Sequence, residues 1–133
     1  MVVMQKHIIQ ESTIRNELVP GKNTRFQINP RIQFAVLKKA PEQPATVCDL
    51  SVEIGSMDDD SPLYIKVRMH GVFVSVAQDP AQALVEPMEF NKQAFPILFE
   101  ATRAYISGTM LMGGLTPINL PPIDPNKINF QGN

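Results

Sequence analysis

Cysteine is nearly absent. Cys48 is the one thiol in 133 residues, which excludes an intrachain disulfide and any zinc site built from clustered cysteines. Histidine is almost as scarce. His7 and His70 stand far apart in the chain and neither belongs to an HExxH-type pair, so neither is expected to bind a metal or to catalyse. No stretch approaches the roughly 20 apolar residues of a membrane-spanning helix. The N-terminus, "MVVMQKHIIQESTIRNE", meets polar residues too early to form the apolar region of a signal peptide. The expectation is a soluble chain in a reducing, cytoplasmic setting, with no membrane insertion.

Charge is also in short supply. Charged residues make up 19% of the chain and apolar residues 44%, with a formal net charge of −1. That composition is globular and shows no sign of wholesale disorder. A nucleic-acid binder would need clustered Lys and Arg to displace counterions, and no such cluster occurs. "MDDDS" at Met57–Ser61 is the one dense charge run. It lacks the spaced acids and glycine of a calcium loop and reads as a solvated hairpin tip. "GGLTP" is not followed by the Lys-Ser/Thr of a phosphate loop, and no serine stands in GxSxG. No enzyme, metal or cofactor is expected.

What the chain does have is alternation. "RFQINPRIQFAV" places Phe26, Ile28, Pro30, Ile32, Phe34 and Val36 on one strand face, and Pro30 confines that strand to a sheet edge or a bulge. "VCDLSVEIGS" sets Cys48, Leu50, Val52 and Ile54 against polar neighbours. "LYIKVRMHGVFVSVA" sets Leu63, Ile65, Val67, Met69 and Phe73 against Tyr64, Lys66, Arg68 and His70. The short connection between these two predicts an antiparallel hairpin. "KHIIQESTI" gives a weaker signal for a fourth strand. Strands therefore fill about residues 2–77, and a crossover with two prolines covers 78–93.

A helix is expected over about 95–112, with Pro96 in its first turn and Gly113–Gly114 at its left-handed stop. Ile97, Ala101, Ala104, Gly108 and Leu111 form one stripe. Leu98, Phe99, Thr102, Tyr105, Ile106 and Met110 widen the apolar surface well beyond it. A helix apolar over most of its circumference is covered on more than one side, here by its own sheet and by another subunit. Phe99, Ile106 and Met110 are the expected oligomer contacts. The tail over 114–133 holds four prolines after Gly114 and is expected to be extended. Leu84, Val85 and Phe90 in the crossover, with Leu115, Ile118, Leu120 and Ile123 in the tail, are candidates to line an apolar contact groove. One α+β domain over 1–133 accounts for this pattern, with a four-stranded antiparallel sheet and one long helix.

Three motifs resemble the SecB family of protein-export chaperones. "ILFEATRAYIS" (Ile97–Ser107) is similar to the family's helix: an Ile-Leu-Phe start, an Arg four residues after the Phe, and an Ile three further on. Gly113 matches the glycine ending that helix. "INLPPID" (Ile118–Asp124) resembles Leu-Asn-Leu-Ala-Pro-Val-Asn, and "HGVFVSVA" (His70–Ala77) resembles the family's Gly-Gly-Ile-Phe-Ser-Ile segment. The resemblance implies a four-stranded antiparallel sheet and a tetramer assembled largely through the helix. It also implies a nucleotide-independent holdase that binds unfolded chains or preproteins in apolar grooves. Two departures follow from it. The chain is close to neutral where export members are strongly acidic, and with the sequence ending at "NKINFQGN" the family's second helix and metal-binding tail are expected to be absent. Asp58 and Asp59 have some likeness to the acidic patch that meets the SecA motor. A dedicated client, such as an antitoxin, is the alternative to an export role.

Overall fold

Strands form where the alternation predicts them, and one more forms where it predicts little. The computed structural model describes residues 2–17, 30–39, 45–55, 63–75, 87–114 and 120. Strand β1 spans Val2–Asn16, β2 Arg31–Lys39, β3 Ala45–Ile54 and β4 Leu63–Ser75, and helix α1 spans Pro87–Met112. The four strands make one sheet in the order β1-β4-β3-β2, antiparallel throughout. Three consecutive neighbours plus a strand joined by a long return connection make a Greek key. β2 starts directly after Pro30 and lies at an edge, where a missing N–H costs the ladder nothing. Residues 18–29, including Phe26 and Ile28, lie outside the described residues.

Register decides which residues enter the core. Cys48, Leu50, Val52 and Ile54 of β3 stand opposite Gly71, Met69, Val67 and Ile65 of β4, and all eight are buried. Phe34 of β2 joins them opposite Leu50. Burying an aliphatic or aromatic side chain contributes roughly 1.5–3 kcal/mol, so this face holds the sheet against the helix.

Helix α1 is 26 residues long and begins at Pro87, well before the expected start near 95. The last part of the expected crossover is thus helical. Pro87, not Pro96, occupies the first position, where proline fits. Pro96 lies inside the helix, where it removes a donor and crowds the preceding turn. Burial outweighs that cost. Phe90, Ala94 and Phe95 upstream of Pro96 are all buried, and Phe90 packs edge-on against Phe73, with ring centroids 6.1 Å apart. Phe95 lies edge-on to Phe34 at 5.6 Å and stacks on Phe99 at 5.4 Å.

The two stripes of the helix separate cleanly. Leu98, Thr102, Ile106 and Met110 face the sheet and are buried. The hydroxyl of Thr102 donates to the carbonyl of Leu98 at 2.9 Å and lies 3.6 Å from Sδ of Met69. Ala104 and Leu111 face outwards and are exposed, while Ile97, Ala101 and Gly108 are half-buried. The helix stops as the glycines predict: Gly114 has φ +80°, and the amides of Gly113 and Gly114 donate to the carbonyls of Thr109 and Leu111 at 3.0 Å each.

Gly71 sets how closely the helix lies on β4. A Cβ there would stand 2.7 Å from Cε2 of Phe73 and 3.0 Å from Cδ1 of Leu98. Phe73 is itself wedged beside Phe90, so it has little room to give. Gly71→Ala is therefore expected to lower stability by about 1–3 kcal/mol, the usual cost of overpacking. Gly108→Ala meets nothing within 4 Å and should raise stability by about 0.5–1 kcal/mol through helix propensity. Urea unfolding of the two variants checks both signs.

Candidate functional site

Among the described residues the chemistry-bearing groups do not converge. Cys48 is fully buried, and burial pushes its thiol up to about 12, so it is an inert core residue. His7 is exposed on β1. His70 lies on the sheet face away from the helix, with Nε2 3.1 Å from Oδ1 of Asp49, its cross-strand partner. The same oxygen accepts a hydrogen bond from Nε of Arg68 at 2.8 Å. This is a cross-strand ion network, a common way to stabilise one face of a sheet. Among the described residues no group of three or more His, Cys, Asp or Glu side chains could hold a metal ion. No helix among them is long and apolar enough to cross a membrane.

Apolar surface is what remains. Val3, Ile8 and Ile9 on β1, Leu37 on β2, and Leu111 and Met112 at the end of α1 are the exposed large hydrophobic residues among those described. Leu111 is 62% exposed and Met112 91%. Together with Ala104 they place an apolar patch on the outward side of the helix's second half. Singly exposed apolar residues are ordinary, but a helix flank and a strand edge that both carry several of them mark contact surface.

The expected site residues fall into three groups. Leu84, Val85, Leu115, Ile118 and Ile123, with Asp58 and Asp59, lie outside the described residues. Phe90 and Leu120 belong to the hydrophobic core, 8% and 3% exposed, so neither offers side-chain surface to a groove. Phe99, Ile106 and Met110 are equally occupied, because they too lie buried in this chain's hydrophobic core. Ala104 and Leu111, with the half-buried Gly108 between them, form the helix stripe turned away from the sheet. The β1 residues escaped the sequence reading because the strand is bulged. Met4 pairs with Phe73 but Lys6 with Val72, and Ile9 pairs with Met69 but Glu11 with Arg68. Each extra residue, Gln5 and Gln10, shifts the alternation by one and hides the period of two.

The other sheet face is closed by paired charge. Arg31 donates to Glu53 through Nε at 2.9 Å and Nη2 at 2.6 Å, and also reaches the carbonyl of Gly55. Tyr64 donates to the other oxygen of Glu53 at 2.6 Å, and Lys66 lies 3.7 Å from Glu11. The hydrogen bond from Tyr64, then that from Arg31, holds Glu53 below the usual carboxylate range. Burial, followed by the bond to Glu53, pushes Tyr64 up to about 12. The two signs differ. Glu53 contributes stability at pH above its unfolded value of about 4.3, and loses it as pH falls through the lower folded value. Tyr64 contributes stability below about pH 10 and loses it as pH rises through about 12. Tyrosinate absorbance from Tyr64 is expected only towards pH 12, and Tyr64→Phe should delete that step and, by removing the hydrogen bond to Glu53, the larger part of Glu53's contribution on the acid side.

No family model matches the chain, and no curated protein matches it by sequence. Solved structures do. A SecB-like chaperone from Mycobacterium tuberculosis, in complex with a ChAD peptide from an antitoxin, aligns with a TM-score of 0.65 over 92% of this chain and 87% of its own, at 12% identity. A protein of unknown function from Streptococcus agalactiae aligns at a TM-score of 0.45 and 13% identity, over 91% of this chain and 97% of its own. The strand order, the single long helix and the first of these alignments together give this chain a SecB-like fold.

Proposed function

We propose that this chain is an ATP-independent holdase that binds unfolded polypeptide segments on apolar surface, working as a cytoplasmic tetramer. The observation that carries the reading is the SecB-like fold combined with apolar residues left uncovered on the helix flank. The solved relative binds a peptide from an antitoxin, which supports a polypeptide as the ligand class. The client contacts are assigned to Leu84, Val85, Leu115, Ile118 and Ile123, which flank the helix in sequence. Phe90 and Leu120 are left out because the core holds them.

A dedicated client fits better than an export role. On the described sheet face Glu11, Asp49 and Glu53 are each engaged by Lys66, Arg68 or Arg31, which leaves little free acid for a motor such as SecA. Asp58 and Asp59 are the acids an export contact would use. Assembly is assigned to the outward helix stripe. A charge buried there without a partner is costly, so Leu111→Asp is expected to halve the mass measured by light scattering while leaving the circular dichroism unchanged. Full mass in that variant would move the interface elsewhere.

Holding a client stabilises its unfolded state by mass action, by about 2.7 kcal/mol when free chaperone is about a hundredfold above Kd. Added chaperone should therefore slow a client's refolding and suppress its aggregation without nucleotide. The effect should survive physiological salt, which screens exposed charges beyond about 8 Å. Val85→Ser with Ile118→Ser should weaken the protection at least several-fold and keep the oligomer. Undiminished protection by this pair would remove these residues from the site. A chain that binds only folded partners and protects nothing would be an adaptor.

A further inference from the structure

Among the described residues three polar side chains are buried with the core: Thr46, Asn91 and Thr102. Thr102 is satisfied, because its hydroxyl donates to the carbonyl of Leu98. Asn91 is not. The residue is 4% exposed, and its Oδ1 is sealed from solvent and, among the described residues, meets no donor. A buried acceptor left without a donor destabilises a fold by more than a typical hydrogen bond stabilises it, and native cores carry few of them.

Its place in the fold limits what can meet it. Asn91 stands one helical turn before Phe95, which is edge-on to Phe34, and directly after Phe90, which is edge-on to Phe73. Thr46 lies on the helix face of β3 opposite Phe73, so both neutral polar residues sit at the Phe73 end of the core. The rings at this end offer no donor. A charged ligand fits poorly among apolar side chains and two neutral groups. A side-chain amide carries a donor and an acceptor side by side, and a peptide unit presents the complementary C=O and N–H. We propose that Asn91 binds the main chain of the client, with Oδ1 accepting an N–H from an extended segment and the amide nitrogen donating to its carbonyl. This inference rests on the holdase reading and adds to it a contact that ignores sequence. A holdase grips chains of differing sequence, and the main chain is what they share.

The helix itself supplies a route to the sealed amide. Pro96 lies inside α1 and has no N–H, so the carbonyl of Lys92 lacks its helical donor. Residues 87–95 are therefore joined to the rest of the helix by one bond fewer than an unbroken helix would have. Phe90 holds this segment to Phe73, and the amide of Val2 donates to Oε1 of Gln93 at 2.9 Å. A shift of the segment opens the helix start. The orphan acceptor lowers the stability of the closed arrangement, and the hydrogen bond that Asn91 gains from a client favours the open one.

Asn91→Leu keeps a similar volume and removes the acceptor. Its urea midpoint is expected to rise, because an unpaired buried amide is gone. Its affinity for a small protein permanently unfolded by reduction and alkylation is expected to fall about five- to tenfold, the worth of one hydrogen bond, with the oligomer mass unchanged. N-methylation removes one N–H at a time from a short peptide of that unfolded protein. The wild-type chain should lose a similar factor at one position of the peptide, and Asn91→Leu should lose nothing further there. Undiminished binding by Asn91→Leu would overturn the inference, and so would a peptide whose every N-methyl form binds the wild type equally. A lower urea midpoint in Asn91→Leu would overturn it too, because the amide is then satisfied within the chain or by a bound water. If Asn91→Leu does not fold, the N-methyl series on the wild-type chain decides. A wild-type chain that ignores the unfolded protein altogether defeats the holdase reading itself, and this inference with it.

Discussion

The close approach of one helix to one strand governs this molecule. Gly71 leaves a hole on the core face of β4, and the ring of Phe73 and a methyl of Leu98 come to fill it. That contact brings Leu98 down onto the sheet, and the residues one, two and three turns on, Thr102, Ile106 and Met110, follow. Upstream, Phe90 closes on the other side of Phe73 and draws the helix back to Pro87, past a proline that would otherwise begin it. Once this face is fixed, the opposite one is fixed too. Ala104 and Leu111 must face away from the sheet because Ile106 and Met110 cannot.

Most of the fold is legible in the residues. β3 alternates along its length and β4 as far as Gly71, and the expected core positions Cys48, Leu50, Val52, Ile54, Leu63, Ile65, Val67, Met69 and Phe73 are buried in the structure. The glycine stop of the helix is where Gly113 and Gly114 place it. Two features are hidden for physical reasons. A bulge costs no apolar residue but shifts the period of two, so β1 looks irregular although it is the longest of the described strands. A proline inside a helix looks like a beginning, because only tertiary burial of Phe90, Ala94 and Phe95 outweighs the local preference. The site was harder to read than the fold. Composition says that Phe99, Ile106 and Met110 are apolar, but it cannot say whether the covering surface is their own sheet or a neighbour's. Phe90 and Leu120 show the same ambiguity: both looked available in irregular sequence, and both are spent on the core.

What the core does not use is the basis of the functional account. On the sheet face away from the helix, Arg31 pairs with Glu53, Arg68 with Asp49 and Lys66 with Glu11, and exposed pairs of this kind contribute little stability each. The uncovered apolar groups lie instead at the β1 edge and the outward helix flank. Under the proposed function, the helix flank serves assembly and the segments that flank the helix in sequence meet the client. In this account the SecB-like fold provides a scaffold whose remaining apolar surface is offered to other chains.

The central claim is that the partner is an unfolded chain recognised by apolar contact. Calorimetric titration at several temperatures, with one small protein supplied first permanently unfolded by reduction and alkylation and then folded, tests it most directly. The account predicts binding of the unfolded form alone, with a negative heat-capacity change from buried apolar surface, unaltered by nucleotide. Binding of the folded form in preference to the unfolded one, or no heat-capacity change on binding the unfolded chain, would contradict it.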